Sequence, residues 1–192
     1  MEIQLNNVRL AFPELFKAKA FATGEGAPAY SCTLIIAGKD EAQIKAVRDA
    51  MVAVAKGKWN DKAAVVFKSL TEGNKLAAYP GDRKAEYAGF EGNYVVACRS
   101  KTKPLTIDRR RNPVTEEDGV LYPGCYVNAR IAFWAQDNQF GKRINCEIKG
   151  VQFVKNGDSF GGGGAPAKTD DFAPLDDAGD GGTDMFGEDT AF

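Results

Sequence analysis

Apolar residues return at every second position along much of this chain. "YVNARIAFWAQ" (126–136) is the clearest stretch: Val127, Ala129, Ile131 and Phe133 fall on one face, and Tyr126, Asn128, Arg130, Ala132 and Trp134 on the other. The first face belongs in a core. The second carries two rings and a guanidinium on the side that a half-buried sheet turns to solvent. "KRINCEIKGVQFVK" (142–155) repeats the alternation, with Ile144, Cys146 and Ile148 set against Asn145, Glu147 and Lys149. "DNQFG" between the two stretches predicts a hairpin. "IQLNNVRLAF" (3–12), stopped or bent by Pro13, "AYSCTLIIAG" (29–38) and "YVVACRSK" (94–101) read as further strands.

One segment changes period. In "KDEAQIKAVRDAMVAVAKGKW" (39–59), Ile44, Val47, Met51 and Val54 recur at helical spacing. Asp40 is placed to cap this helix with Gln43 as its reciprocal partner, and Gly57 to stop it. The apolar stripe is core packing rather than a binding surface. "NDKAAVVF" (60–67) fits a short helix or an extended piece, and "YPGDRKAEYAGFEGN" (79–93) is turn-rich and aromatic. Residues 104–125 form a long excursion containing three consecutive arginines.

Many short strands, one main α-helix and long decorated loops predict a mainly β fold: an OB-fold-like antiparallel Greek-key barrel, in which a helix commonly follows the third strand. An SH3-like barrel or an open α+β sheet fits the same pattern. Residues 1–158 are expected to form this domain. "SFGGGGAP" reads as a glycine-rich linker (159–169), and residues 170–192 as a disordered acidic tail, because its apolar residues are too few for its charge.

Charge sharpens the division. Of 26 acids and 25 bases, eight acids and one base lie in 165–192. That leaves 18 acids against 24 bases, a balance of +6, in residues 1–164. A basic body with an acidic tail points to nucleic acid or a membrane surface. No apolar run reaches the ~18 residues of a membrane span. No secretory signal opens the chain, so a reducing, cytosolic setting is expected. The chain has no histidine, and its cysteines, Cys32, Cys98, Cys125 and Cys146, form no C-x-x-C pair. A zinc site would need four scattered thiolates, so the better reading is that Cys32, Cys98 and Cys146, each in an apolar strand-like run, are buried small hydrophobes. No catalytic residue, metal site or cofactor is assigned. "GGGG" lacks the strand–loop–helix setting of a phosphate loop, and Glu116, Glu117 and Asp118 read as a solvated loop.

The positive residues gather around the ring-bearing face. Tyr126, Arg130, Trp134 and Lys149 lie on it, Lys142 and Arg143 at its turn, and Arg99, Lys101 and Lys103 at the end of the 94–101 strand. Arg109, Arg110 and Arg111 lie in the long excursion, and Trp59 is a further ring. Rings among cations are what sequence-independent binding of single strands needs: every base offers a π-face, and each neutralised phosphate releases counterions. The same charges permit weaker double-strand binding. Alternatives are a non-catalytic assembly or interaction module acting through its tail, and a nuclease or other DNA-modifying enzyme.

"YPGCYVNARIAFWAQDNQFGKRINCEIKGVQFVKNGDSFGGG" (122–163) and "LNNVRLAFPELFKAKAF" (5–21), together roughly a third of the chain, resemble a family of phage-encoded single-stranded-DNA-binding proteins first catalogued as a domain of unknown function. The resemblance implies an OB-fold that coats single-stranded DNA during phage replication and recombination, in the cytoplasm of the infected bacterial host. It does not say which side chains stack. The ending "MFGEDTAF" is similar to the acidic, phenylalanine-terminated tails of bacterial and phage single-stranded-DNA-binding proteins, though it lacks the bacterial Pro-Phe. That likeness implies contact of Asp184, Met185, Phe186, Glu188, Asp189 and Phe192 with replication or recombination proteins, and competition of the tail with DNA.

Overall fold

A computed structural model describes residues 1–20 and 27–160. The linker from Gly161 onward and the acidic tail, including Asp184, Met185, Phe186, Glu188, Asp189 and Phe192, lie outside the described residues.

Seven strands form one sheet among the described residues: β1 (Glu2–Lys19), β2 (Ala29–Ile36), β3 (Ala78–Pro80), β4 (Tyr94–Ser100), β5 (Leu105–Ile107), β6 (Tyr126–Asn138) and β7 (Gly141–Lys155). Their spatial order is β3-β4-β2-β1-β6-β7-β5. All pairings are antiparallel except β5 with β7. The fold is mainly β with one main helix, as the alternation predicts, but the sheet does not close into a barrel. It curls until β4 faces β7, where the Cys98 and Cys146 sulfurs lie 3.5 Å apart. A single parallel bridge, Leu76 with Ile144, spans the seam. The Ala77 N–H donates to the Ile144 carbonyl at 2.9 Å, and the Ala97 N–H to the Ala77 carbonyl at 2.8 Å. Residues 75–77 therefore bridge two strands that never pair directly, leaving an open notch beside them.

The predicted faces hold. Val127, Ala129, Ile131 and Phe133 are buried, as are Ile144, Cys146 and Ile148 on the paired strand. The interior continues through Leu5, Val8, Leu10, Cys32, Leu34 and Ile36. A smaller cluster, Ala11, Ile35, Phe90 and Val95, sits on the outer side under the 79–93 loop. The two-residue period thus breaks down on β2 and β4, which are covered on both faces there.

Helix α1 (Glu41–Trp59) begins as expected: the Asp40 carboxylate accepts from the Gln43 N–H at 3.1 Å. Such a cap contributes about 1 kcal/mol. The expected reciprocal bond is not made: the Asp40 N–H donates to the Ala37 carbonyl at 2.8 Å, and the Gln43 amide donates to the Asp40 carboxylate at 2.6 Å. That amide also donates to the Asn6 carbonyl at 3.0 Å and accepts from the Asn6 N–H at 2.7 Å, tying the helix to β1. Gly57 does not stop α1, which runs on to Trp59. A second helix, α2 (Ala63–Glu72), resolves the ambiguity of "NDKAAVVF". Both helices follow the second long strand rather than the third, and both cover the core side of the sheet. No helix among the described residues is long and apolar enough to cross a membrane.

"GCYVN" owes its form to a close approach. Gly124 has φ +108, and a Cβ there would lie 2.0 Å from the Asp158 carbonyl oxygen. Its N–H donates to the Leu10 carbonyl at 2.7 Å, and the Leu10 N–H donates to the Cys125 carbonyl at 2.9 Å, which locks β1 to the entry of β6.

Candidate nucleic-acid interface

The hairpin of β6 and β7 turns through Gln139 and Phe140, with Asn138 opposite Gly141. Gly141 takes φ +95, which suits glycine. The turn lifts the Phe140 ring into solvent, 81% exposed, while Trp134 projects from the outer face of β6, 47% exposed. Beside them the notch between β4 and β7 forms a groove of about 440 Å³. Four cations line it: Lys75, Arg99, Lys101 and Arg143. Its polar lining is completed by Asn74, Ser100, Gln136 and Asn145, and no carboxylate contributes. The Arg99 guanidinium is steadied by a 2.9 Å bond to the Ala27 carbonyl, and Asn145 by one of 3.1 Å to Gln136. An open, ring-bearing groove with cations and no anion attracts a chain that carries both charge and π-faces.

The sequence-predicted residues divide on this geometry. Trp134, Arg143, Arg99 and Lys101 come together in the groove. Arg130 and Lys149 share the outer face but are paired, with Glu2 at 3.4 Å and Glu147 at 2.8 Å. The bond to Glu147 raises the Lys149 pKa above its ordinary value. Lys142 sits at the hairpin stem, 3.7 Å from Asp137, and Lys103 is exposed beyond β4. Arg109, Arg110 and Arg111 belong to a tight turn after β5. The Asp108 carboxylate accepts there from the Arg110 and Asn112 N–H groups at 2.7 and 2.8 Å, and from the Asn112 amide at 2.8 Å. The Asn112 amide bond, followed by these backbone donors, holds the Asp108 carboxyl below its usual range. That turn adjoins Gln152, seven residues along β7 from the groove at Asn145, or about 23 Å at strand rise.

Two predicted rings lie away from the groove, one of them in the core. Trp59 is 8% exposed and packs in the core, with its indole N–H donating to Asp137 at 2.8 Å. Because α1 continues past Gly57, the ring turns inward under the hairpin stem. Tyr126 is half-buried, with the Lys155 ammonium 4.5 Å and the Arg9 guanidinium 5.5 Å from its centroid.

Lys75, Phe140, Gln136 and Asn74 escaped the sequence reading. Phe140 left one trace: a large ring inside "DNQFG", where turn chemistry favours small polar residues. Lys75 left none, because only the bridge at the seam brings it to β7. The cysteine reading holds. All four are buried and free. The Cys32 and Cys98 thiols are pushed well above their ordinary range, first by hydrogen bonding to the next thiol and then by burial. Burial lifts Cys125 to about 11.

A curled sheet with a helix pair on one side and a cation-lined groove at the hairpin end defines an OB-fold-like β protein with an open cleft. The chain belongs to the family described as Enterobacter phage Enc34, ssDNA-binding protein, whose family model matches residues 1–182. It is 39% identical over 177 residues to protein p50 of Acyrthosiphon pisum secondary endosymbiont phage 1, covering 91% of this chain and 94% of that one. Its fold is similar to that of the single-stranded DNA-binding protein from bacteriophage Enc34 in complex with ssDNA, with a TM-score of 0.70 and 26% identity over 83% of this chain and 89% of the other. A fold likeness extends to gp2.5, a single-stranded DNA binding protein encoded by bacteriophage T7, with a TM-score of 0.53 and 14% identity over 84% and 95% of the two chains.

Proposed function

We propose that this protein binds single-stranded DNA without sequence preference, coating and protecting it during phage DNA replication and recombination in the infected cell's cytoplasm. The observation that carries this reading is the groove in which Trp134 and Phe140 stand among Lys75, Arg99, Lys101 and Arg143 with no carboxylate in the lining. Stacking on a ring is worth about 1–3 kcal/mol per base and is indifferent to sequence. The cations meet phosphates and add affinity that falls with salt. Family membership and the ssDNA complex of the Enc34 protein support the same ligand. Double-stranded DNA meets the same cations but keeps its π-faces stacked inside, so it binds more weakly. The role is binding, without a catalytic step.

The acidic ending is the partner handle in this reading. Eight acids against one base, closed by Phe192, suit a basic, apolar pocket on a replication or recombination protein. The same charges compete with DNA for the basic body. Truncation after Gly164 then tightens DNA binding at low salt, and the gain fades as salt screens the contact. Weaker binding by the truncated chain at every salt concentration refutes the competition.

The test of the main function is titration with unlabelled oligothymidine. It should quench the fluorescence of Trp134 and leave that of buried Trp59 unchanged. Absence of both quenching and complex formation at low salt refutes the reading.

A further inference from the structure

A second pair of exposed rings lies outside the groove. Phe12 follows Leu10 by two residues and by strand alternation belongs in the core beside it. Instead it is 51% exposed, at φ +47. The register of β1 on β2 shifts between Ala11 and Glu14, so Phe12 and Pro13 form a bulge that throws the ring outward. A bulky side chain in the left-handed region is strained, and here the strain serves to remove a ring from the core. Strain of this kind concentrates at functional positions. Tyr87, 40% exposed, meets Phe12 edge-on at 5.3 Å. Phe90 is buried beneath them, 5.4 Å from Tyr87. The Lys84 ammonium stands 6.0 Å from the Tyr87 ring. On the side of Lys84 the pair shares a shallow hollow with Tyr79 and Thr33 whose lining holds no carboxylate, while Glu86 lines a second hollow on the side of Pro123 and Phe160.

Position connects this pair to the groove. Thr33 on β2 is the register partner of Ala97 on β4, and Ala97 lines the Trp134 groove. The two hollows thus meet at adjacent small residues on the outer side of one strand pair, about 5 Å apart, with no large side chain at the crossing point.

We infer that Phe12 and Tyr87 form a second base-stacking station on the same single-stranded DNA track. The strand passes from Trp134 and Phe140 over Ala97 and Thr33 to Phe12, crossing the exterior of β4 and β2. The inference rests on the single-strand reading above and adds a path to it. Lys84 supplies a phosphate contact at the far end. The occupant is single-stranded DNA rather than the acidic tail, because the hollow continues an open cation-lined groove and repeats its pairing of exposed rings with a cation.

The test measures affinity for oligothymidines from about 4 to about 16 nucleotides, the span of OB-fold site sizes, for wild type, Phe12→Asn, Tyr87→Ala and Trp134→Ala. Asparagine tolerates the left-handed backbone, so Phe12→Asn deletes the ring and keeps the bulge, and its melting temperature should equal or exceed that of wild type. The shortest oligomers should bind both station variants as they bind wild type. The longest should bind each about 5- to 150-fold more weakly, while Trp134→Ala weakens every length. Wild-type affinity of both Phe12→Asn and Tyr87→Ala at all lengths, with Trp134→Ala impaired, overturns the station and leaves the groove standing. Unchanged DNA binding together with lost binding of a peptide of residues 170–192 would assign the rings to the tail and overturns it too. A wild type that binds no length overturns the single-strand reading and the station with it.

Discussion

Removing the groove cations should change the salt dependence of DNA binding by a calculable amount. Lys75, Lys101 and Arg143 line the groove and are exposed. Arg99 is left in place because it also holds the Ala27 carbonyl. Each phosphate contact on a single strand contributes about 0.7 to the slope of log K against log salt. The triple variant Lys75→Gln, Lys101→Gln, Arg143→Gln should therefore flatten that slope by about 2.1. Raising salt from about 50 to about 200 mM would then cost the variant ~20-fold less affinity than it costs wild type, because a fourfold change is raised to that power. Fluorescence anisotropy of a labelled oligothymidine across a salt series measures it, with circular dichroism as the folding control. The counterpart is Arg109→Gln, Arg110→Gln, Arg111→Gln, whose turn lies about 23 Å along β7 from the groove. It should leave the slope nearly unchanged. The reasoning is refuted if the arginine-turn variant flattens the slope and the groove variant does not.

Trp134→Ala should weaken single-strand binding by about 1–3 kcal/mol and lower the melting temperature little, since the ring is half exposed; a collapsed melting temperature with intact affinity would contradict this. Trp59→Phe should do the reverse, losing about 1 kcal/mol of stability from the part-buried bond to Asp137, whose exposed carboxylate is then hydrated, with DNA affinity and quenching by oligothymidine retained. Thiol reagents at pH 8 should label native protein slowly and denatured protein fast, because the Cys32, Cys98 and Cys125 pKa values are raised and their thiols remain protonated; fast native labelling would show that the seam opens. The Asp108 pKa is depressed in the fold, so its small contribution to stability is present above the unfolded value near 3.9 and is lost as pH falls through the folded one; Asp108→Asn should remove that part of the acid dependence in thermal melts.

Alternation by itself determined the two faces of β6 and β7, and with them the hairpin and the outward placing of Trp134. Whether a side chain at a given step lies above or below a pleated sheet depends only on nearby backbone geometry. The Asp40 cap was legible for the same reason, since cap and helix are neighbours in sequence. Periodicity could not foresee that β4 and β7 come to face each other, because nothing local encodes which distant edges meet. That approach carries Arg99, Lys101 and Lys75 to Trp134 and makes separate charges into one groove. The triple-arginine run looked like part of it, and the fold moved it to the far end of β7. Trp59 turned inward because two further residues of helix were stabilised by burying the indole. Phe12 turned outward because a bulge reversed the alternation at one residue. Both reversals depend on packing against residues distant in the chain, which is why tertiary structure alone decided which rings are free to meet DNA.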